Sequence, residues 1–140
     1  MDKKIYNFKT TFHKINNLYN FYAKTIGINL AAILLLEILS NADVPYSQKE
    51  LCEQLGQPKQ LINSIIKSFW EQGYVELKEA QDRRFKKVVL TDEGRRYAVS
   101  VIKPLQEAER AAWGCFSVEE IVDFSTTMGK YEKSLSQHIQ

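Results

Sequence analysis

Long hydrophobic runs are missing from this chain of 140 residues. The longest unbroken apolar stretch, Leu30 to Leu36, is seven residues long before Glu37 interrupts it. A bilayer-spanning helix needs about 20, so no membrane partner is expected. The lysines of Met1 to Thr10 have no apolar block behind them, which does not read as a signal peptide. Cysteine is equally scarce: Cys52 and Cys115 are too few for a disulfide scaffold, and a cytoplasmic location is the default expectation. The six glycines are scattered, the closest pair, Gly114 and Gly129, fifteen residues apart. No phosphate-binding loop, dinucleotide fingerprint or nucleophile elbow can be drawn through them, so no enzyme motif and no cofactor is expected. Only His13 and His138 are available as imidazoles, near opposite ends, and no Cys-x-x-Cys or His-x-x-x-His pair marks a metal site. A large charge imbalance is also absent, with 19 Lys+Arg against 17 Asp+Glu.

What is present is periodicity. Ile5, Phe8, Phe12, Ile15, Tyr19, Tyr22 and Ile26 recur at alternating steps of three and four, the apolar stripe of a helix. Leu18 and Phe21 widen that stripe beyond the need of one intramolecular neighbour, which favours a second chain as its cover. Leu30 to Leu39 is apolar nearly all round and reads as a buried central helix, ended before Pro45. Ser47 with Glu50 three residues on is a capping box, leading into Leu51 and Leu55 and closed by Gly56. A further helix opens with Pro58 near its first position, turns Leu61, Ile62, Ile65, Ile66 and Phe69 inward, and stops at Gly73. This is the punctuation of a helix-turn-helix.

The period then changes. Tyr74 to Lys78 and Lys87 to Leu90 are strand-like, joined by a polar segment around Glu79 to Lys86, and predict a β-hairpin with a charged tip. Thr91 caps another helix, with Asp92 and Glu93 in its first turn and Pro104 as a candidate kink. A break near Gly114 precedes a second capping box, Ser117 with Glu120. The last helix carries Ile121, Phe124, Met128, Tyr131 and Leu135 at helical spacing. The expected class is mainly α with a small β-hairpin wing: a winged helix-turn-helix flanked by N- and C-terminal dimerisation helices. The whole is read as a single domain, 1–140, with the winged helix-turn-helix at about 28–95 and dimerisation helices at about 3–27 and 97–140. The candidate dimer contacts are Phe8, Phe12, Ile15, Tyr19, Ile121, Phe124, Met128 and Tyr131.

A helix-turn-helix followed at once by a hairpin is the order of a winged-helix DNA-binding domain, in which the second helix enters the major groove. Gln60, Asn63, Ser64 and Lys67 fall on the face opposite the apolar one. Gln and Asn can pair bidentately with adenine, and Lys reaches guanine or phosphate. Any surface helix has a polar face, so this alone decides little. The run Asp82-Arg83-Arg84-Phe85-Lys86-Lys87 at the hairpin tip adds four positive charges against one negative. Arginine is favoured in a narrow minor groove by the potential there. Ser47, Lys59, Gln60, Asn63, Ser64, Lys67, Arg83, Arg84 and Lys86 form the candidate DNA-contact set.

Asp82-Arg83-Arg84, then Val88-Val89-Leu90-Thr91 and Gly94, resembles the wing signature of the multiple-antibiotic-resistance regulator (MarR) family. Ser47 to Leu51 and Gly73 to Glu76 are similar to that family's helix-turn-helix and first wing strand. The resemblance implies a homodimer gripping a pseudo-palindromic site in double-stranded DNA, with Arg84 in the minor groove and Asp82 supporting the wing through a nearby arginine. It implies a transcriptional repressor, released in many members by a small aromatic or anionic effector, for which no residues are assigned here. Family members that sense oxidants use a first-helix cysteine, which this chain lacks. Cys52 reads as a small buried hydrophobe. The competing reading is a winged helix serving protein association with its DNA face idle, which would expose apolar rather than polar residues on the second helix.

Overall fold

The computed structural model describes residues 2–79 and 86–139. Among them are six helices and one three-stranded antiparallel sheet, as expected for a mainly α winged helix. The chain divides into two compact units, Met1–Lys103 and Pro104–Gln140.

In the first unit, α1 (Lys3–Thr25) starts at Asp2, whose carboxylate accepts from the Lys4 N–H at 2.9 Å. That bond satisfies one of the amides that a helix start leaves orphaned. The helix ends before Gly27, which supplies a positive φ of 78° at the turn into α2 (Leu30–Asn41). Asn29 caps α2 by accepting from Ala32 N–H at 2.8 Å. Six α2 residues (Ala31, Ala32, Ile33, Leu35, Leu36 and Leu39) are buried, so α2 is the central helix that its composition predicts. The largest fully buried side chains join Ile33, Leu35 and Leu36 to Leu51, Ile62, Ile66, Val75 and Val88. Each contributes on the order of 1.5–3 kcal/mol by leaving water.

Helix α1 behaves differently. Ala23 is its single buried residue, while Leu18 and Phe21 are each 69% exposed. The Tyr22 hydroxyl donates to the Val101 carbonyl and ties the C-terminal end of α1 to the same unit.

The helix-turn-helix is α3 (Gln48–Leu55) and α4 (Lys59–Glu71). Pro58, expected near the first helical position, is the N-cap, one residue before it. Its missing N–H is an orphan at either place, so the sequence signal cannot separate them. Leu61, expected inward, is half-buried.

Strands β2 (Val75–Glu79) and β3 (Lys86–Leu90) form the predicted hairpin, with Val75 opposite Leu90 and Leu77 opposite Val88. A further strand, β1 (Tyr46–Ser47), pairs with the other side of β3, giving the order β1-β3-β2. Two residues are too few to show alternation, and their partners lie about forty positions downstream, so β1 escaped the sequence reading.

Helix α5 (Asp92–Trp113) begins at Thr91, whose hydroxyl accepts from Gly94 N–H at 2.9 Å, the predicted cap. The division between the two units falls at Pro104. Proline has no N–H to donate to the preceding turn. In the second unit, α6 (Val118–His138) opens with the expected Ser117–Glu120 capping box. There the Trp113 ring packs 5.1 Å from Phe116 and 5.6 Å from Phe124. No single helix among the described residues is long and apolar enough to cross a membrane.

Candidate nucleic-acid interface

The geometry of the helix-turn-helix is set by short-range bonds. Ser47 Oγ accepts from the Glu50 N–H at 3.2 Å and the Glu50 carboxylate accepts from the Ser47 N–H at 3.3 Å. These reciprocal bonds fix the start of α3. Gly56, at φ 60° in the left-handed region, turns the chain at the other end, and Gln57 N–H donates to the Cys52 carbonyl. With Pro58 at the following cap, α4 is held at a defined angle to α3.

Helix α4 then sorts its side chains cleanly. Ile62, Ile65, Ile66 and Phe69 are buried. Lys59, Gln60, Ser64 and Lys67 are exposed; the last three share one face, while Lys59 stands in the first turn, in line with Ile66 seven residues on. Asn63 departs from the expected open position. It is half-buried, and its Oδ1 is buried with no hydrogen-bond partner. A bidentate pair with adenine needs both amide atoms outward, which this placement denies. Such an orphaned acceptor costs about 1–3 kcal/mol.

Ser47 also differs from the sequence expectation of a surface contact. It is 6% exposed, and its hydroxyl is engaged in capping α3. Its first role is to hold the helix-turn-helix in shape. Trp70, 57% exposed, extends the outward side of α4 one turn beyond Lys67 and was not singled out in the sequence. A lone aromatic in a helical pattern carries no sign of which way it points.

The wing is tied to α3 through β3. Lys86 is exposed at the start of β3. Lys87 reaches back to α3, its Nζ 2.9 Å from Glu50 Oε1. The pairing register sets Lys87 opposite Lys78, and like charges directly opposed in an antiparallel pair are destabilising. Glu50 offsets that repulsion while completing its own capping box. The Lys87 hydrogen bond, followed by those from Ser47, holds the Glu50 carboxyl below its ordinary value of 4.5. A depressed folded-state value contributes stability above the ordinary one and loses it as pH falls through the lower one. Glu50→Gln is therefore expected to flatten the fall in urea midpoint on acidification from about pH 6 to about pH 3. An unchanged acid profile would show that this ion pair does not couple the wing to α3.

The end of α4 and the base of the wing are locked onto α5. Tyr74 N–H donates to the Phe69 carbonyl at 2.8 Å, and Thr91 N–H donates to the Tyr74 carbonyl at 3.0 Å. The Thr91 hydroxyl donates to the Gly73 carbonyl at 2.6 Å. Tyr74 and Tyr97 stack at 4.2 Å, nearly parallel, with Phe69 edge-on to both rings. Burial, and secondly the neighbouring Tyr74, pushes the Tyr97 phenol above its ordinary value.

The wing-tip residues Asp82, Arg83 and Arg84 lie outside the described residues. Of the expected dimer contacts, Phe12 and Ile15 on α1 and Phe124 and Tyr131 on α6 are exposed. Phe8, Tyr19, Ile121 and Met128 are half-buried. Cys52 is half-buried rather than buried, and Cys115 is exposed; both are free thiols.

Residues 26–84, which hold the helix-turn-helix and the first wing strand, match the model of the MarR family. No curated protein matches the chain. Among solved structures, a MarR family regulator from Neisseria meningitidis is 24% identical, covering 99% of this chain and 100% of its own, with a TM-score of 0.78. AbsC, a MarR family transcriptional regulator from Streptomyces coelicolor, is 15% identical with a TM-score of 0.81, covering 98% of this chain and 97% of its own. MepR of S. aureus, solved as a DNA complex, is 18% identical with a TM-score of 0.77, covering 96% of this chain and 99% of its own. The fold is thus that of MarR structures along nearly the whole chain.

Proposed function

We propose that the chain is a DNA-binding transcriptional regulator that grips a pseudo-palindromic site as a homodimer. The observation that carries this reading is the sorting of α4: a wholly apolar inner face opposite exposed Gln60, Ser64 and Lys67, presented by a helix-turn-helix whose first helix opens on a capping box. The family match of residues 26–84 and the likeness to MepR, solved on DNA, support it. In this reading the chain acts as one functional domain, the winged helix-turn-helix at about 28–95 contacting DNA. Segments 3–27 and 97–140 contact a second copy, which covers the apolar side chains exposed on α1 and α6. Repression in the cytoplasm, relieved by a small aromatic or anionic effector, is the output that the wing resemblance supports.

Arg84 is proposed to enter the minor groove, with Arg83 and Lys86 on adjoining phosphates and Asp82 holding the wing. Arg84→Ala is expected to weaken binding to all sequences, most for narrow A·T-rich grooves. It should also shrink the salt dependence by about one unit of slope per subunit. Asp82→Ala removes no positive charge, so it should lower affinity and leave the slope unchanged. Selection of sites from random duplex DNA, then titration of the selected site at several salt concentrations, tests the whole reading. No enrichment of any sequence would refute sequence-specific regulation and favour a protein-association module. A folded Arg84→Ala protein with unchanged affinity and salt slope would refute the role of the wing.

A further inference from the structure

The unpaired carbonyl of Asn63 bears on what the reading helix recognises. Asn63 sits between Gln60 and Lys67 on the outward side of α4, with Ile62 and Ile66 of the inner face as its neighbours in sequence and along the helix. Its Oδ1 is buried and accepts no hydrogen bond. The amide group, Nδ2, is therefore the polar end that Asn63 can turn outward. Exchanging the two ends would bury an NH2 with two unmet donors in place of one unmet acceptor, a costlier arrangement. An asparagine held this way offers donors and no acceptor. Adenine and guanine both present N7 as an acceptor in the major groove, and only the acceptor half of an asparagine can recognise the adenine 6-amino group.

Resting on the DNA-binding reading above, we infer that Asn63 is a donor-only reader that meets adenine and guanine alike through N7 and so does not prefer adenine over guanine. The burial of Oδ1 beside the apolar face is what sets this degeneracy. Gln60, exposed on the same face, is under no such restriction and remains able to pair bidentately.

The test begins by locating the base pair whose preference changes in Asn63→Ala, by parallel selection with the parent and variant proteins. Duplexes carrying adenine, guanine, 7-deazaadenine, 7-deazaguanine or unsubstituted purine at that position are then titrated with the full-length parent. Adenine, guanine and purine should bind within about threefold of one another, and each 7-deaza base should bind about tenfold more weakly, as loss of one groove hydrogen bond predicts. Asn63→Ala should not respond to the 7-deaza substitutions. Asn63→Leu, which keeps the volume and removes the orphaned acceptor, should raise the melting temperature while losing the response to the 7-deaza bases. A tenfold or greater preference for adenine over guanine, lost when the 6-amino group is absent, would place the carbonyl outward and overturn the inference while leaving DNA binding intact. So would a lower melting temperature in Asn63→Leu, or an Asn63→Ala selection identical to the parent's. Absence of any selected sequence with the parent would instead overturn the regulator reading itself, and this inference with it.

Discussion

Gly94→Ala is expected to unfold the winged helix or leave it severely destabilised. A Cβ at this position would lie 1.9 Å from the Tyr74 carbonyl oxygen and 2.7 Å from its carbonyl carbon. Those are backbone atoms of the turn between α4 and β2, so no side-chain rotation relieves the clash. The same turn is held by Thr91 N–H on the Tyr74 carbonyl and by the Thr91 hydroxyl on the Gly73 carbonyl. Moving it breaks the cap of α5 and the Tyr74–Tyr97 stack together. Overpacking alone costs about 1–3 kcal/mol, and loss of a helix cap adds about 0.5–2 kcal/mol. A fall in melting temperature of roughly 10 °C or more is expected for a domain of this size. Gly129→Ala is the control: nothing lies within 4 Å of its added Cβ. In a helix interior the exchange should stabilise by about 0.5–1 kcal/mol. Melting curves of the two variants followed by circular dichroism decide the matter, and a Gly94→Ala protein melting with the parent would mean that the close approach to Tyr74 does not exist in solution.

Ile15→Asp is expected to split the proposed dimer and with it operator binding. Ile15 lies mid-stripe on α1 and is 44% exposed, so the chain itself leaves much of this side chain to be covered by a second copy. In a two-fold interface every substitution occurs twice, setting two unpaired carboxylates into apolar surroundings. Breaking such burial costs about 3–5 kcal/mol per charge, enough to turn a tight dimer into monomer at micromolar concentration. Affinity for a two-half-site duplex should then fall by a factor on the order of 10²–10⁴, the avidity lost when the two winged helices are no longer joined. Affinity for a single half-site should change little, which separates dimer loss from damage to the reader. Sedimentation velocity showing an intact Ile15→Asp dimer would remove α1 from the interface.

Much of this architecture was legible because its determinants are local. The two capping boxes, Ser47 with Glu50 and Ser117 with Glu120, each span four residues and formed as read. The apolar runs of α2 and α4 are dense enough that periodicity alone located their buried sides. What escaped depends on residues far apart in the chain. Strand β1 exists only because β3 lies beside it, and the Glu50–Lys87 pair joins positions 37 apart. Ser47 is in the candidate DNA-contact set, yet it pairs with Lys87 across β1–β3 and is only 6% exposed, a burial that depends on a strand forty residues downstream. Asn63 looked like an ordinary member of a polar face; an i, i+3, i+7 pattern names a side of the helix but not which end of an amide is sheltered. Gly94 showed itself only as a signature glycine, and the reason for it is a turn twenty residues upstream.

The brevity of the sheet also bears on behaviour at high concentration. The order β1-β3-β2 leaves β1 and β2 as its edges. One edge is two residues long, and the other reads Val75-Glu76-Leu77-Lys78-Glu79, with Glu76, Lys78 and Glu79 exposed. An incoming strand would find too few amides on the first edge and three charges to bring out of water on the second, so this wing resists the edge-to-edge addition that nucleates β-aggregates.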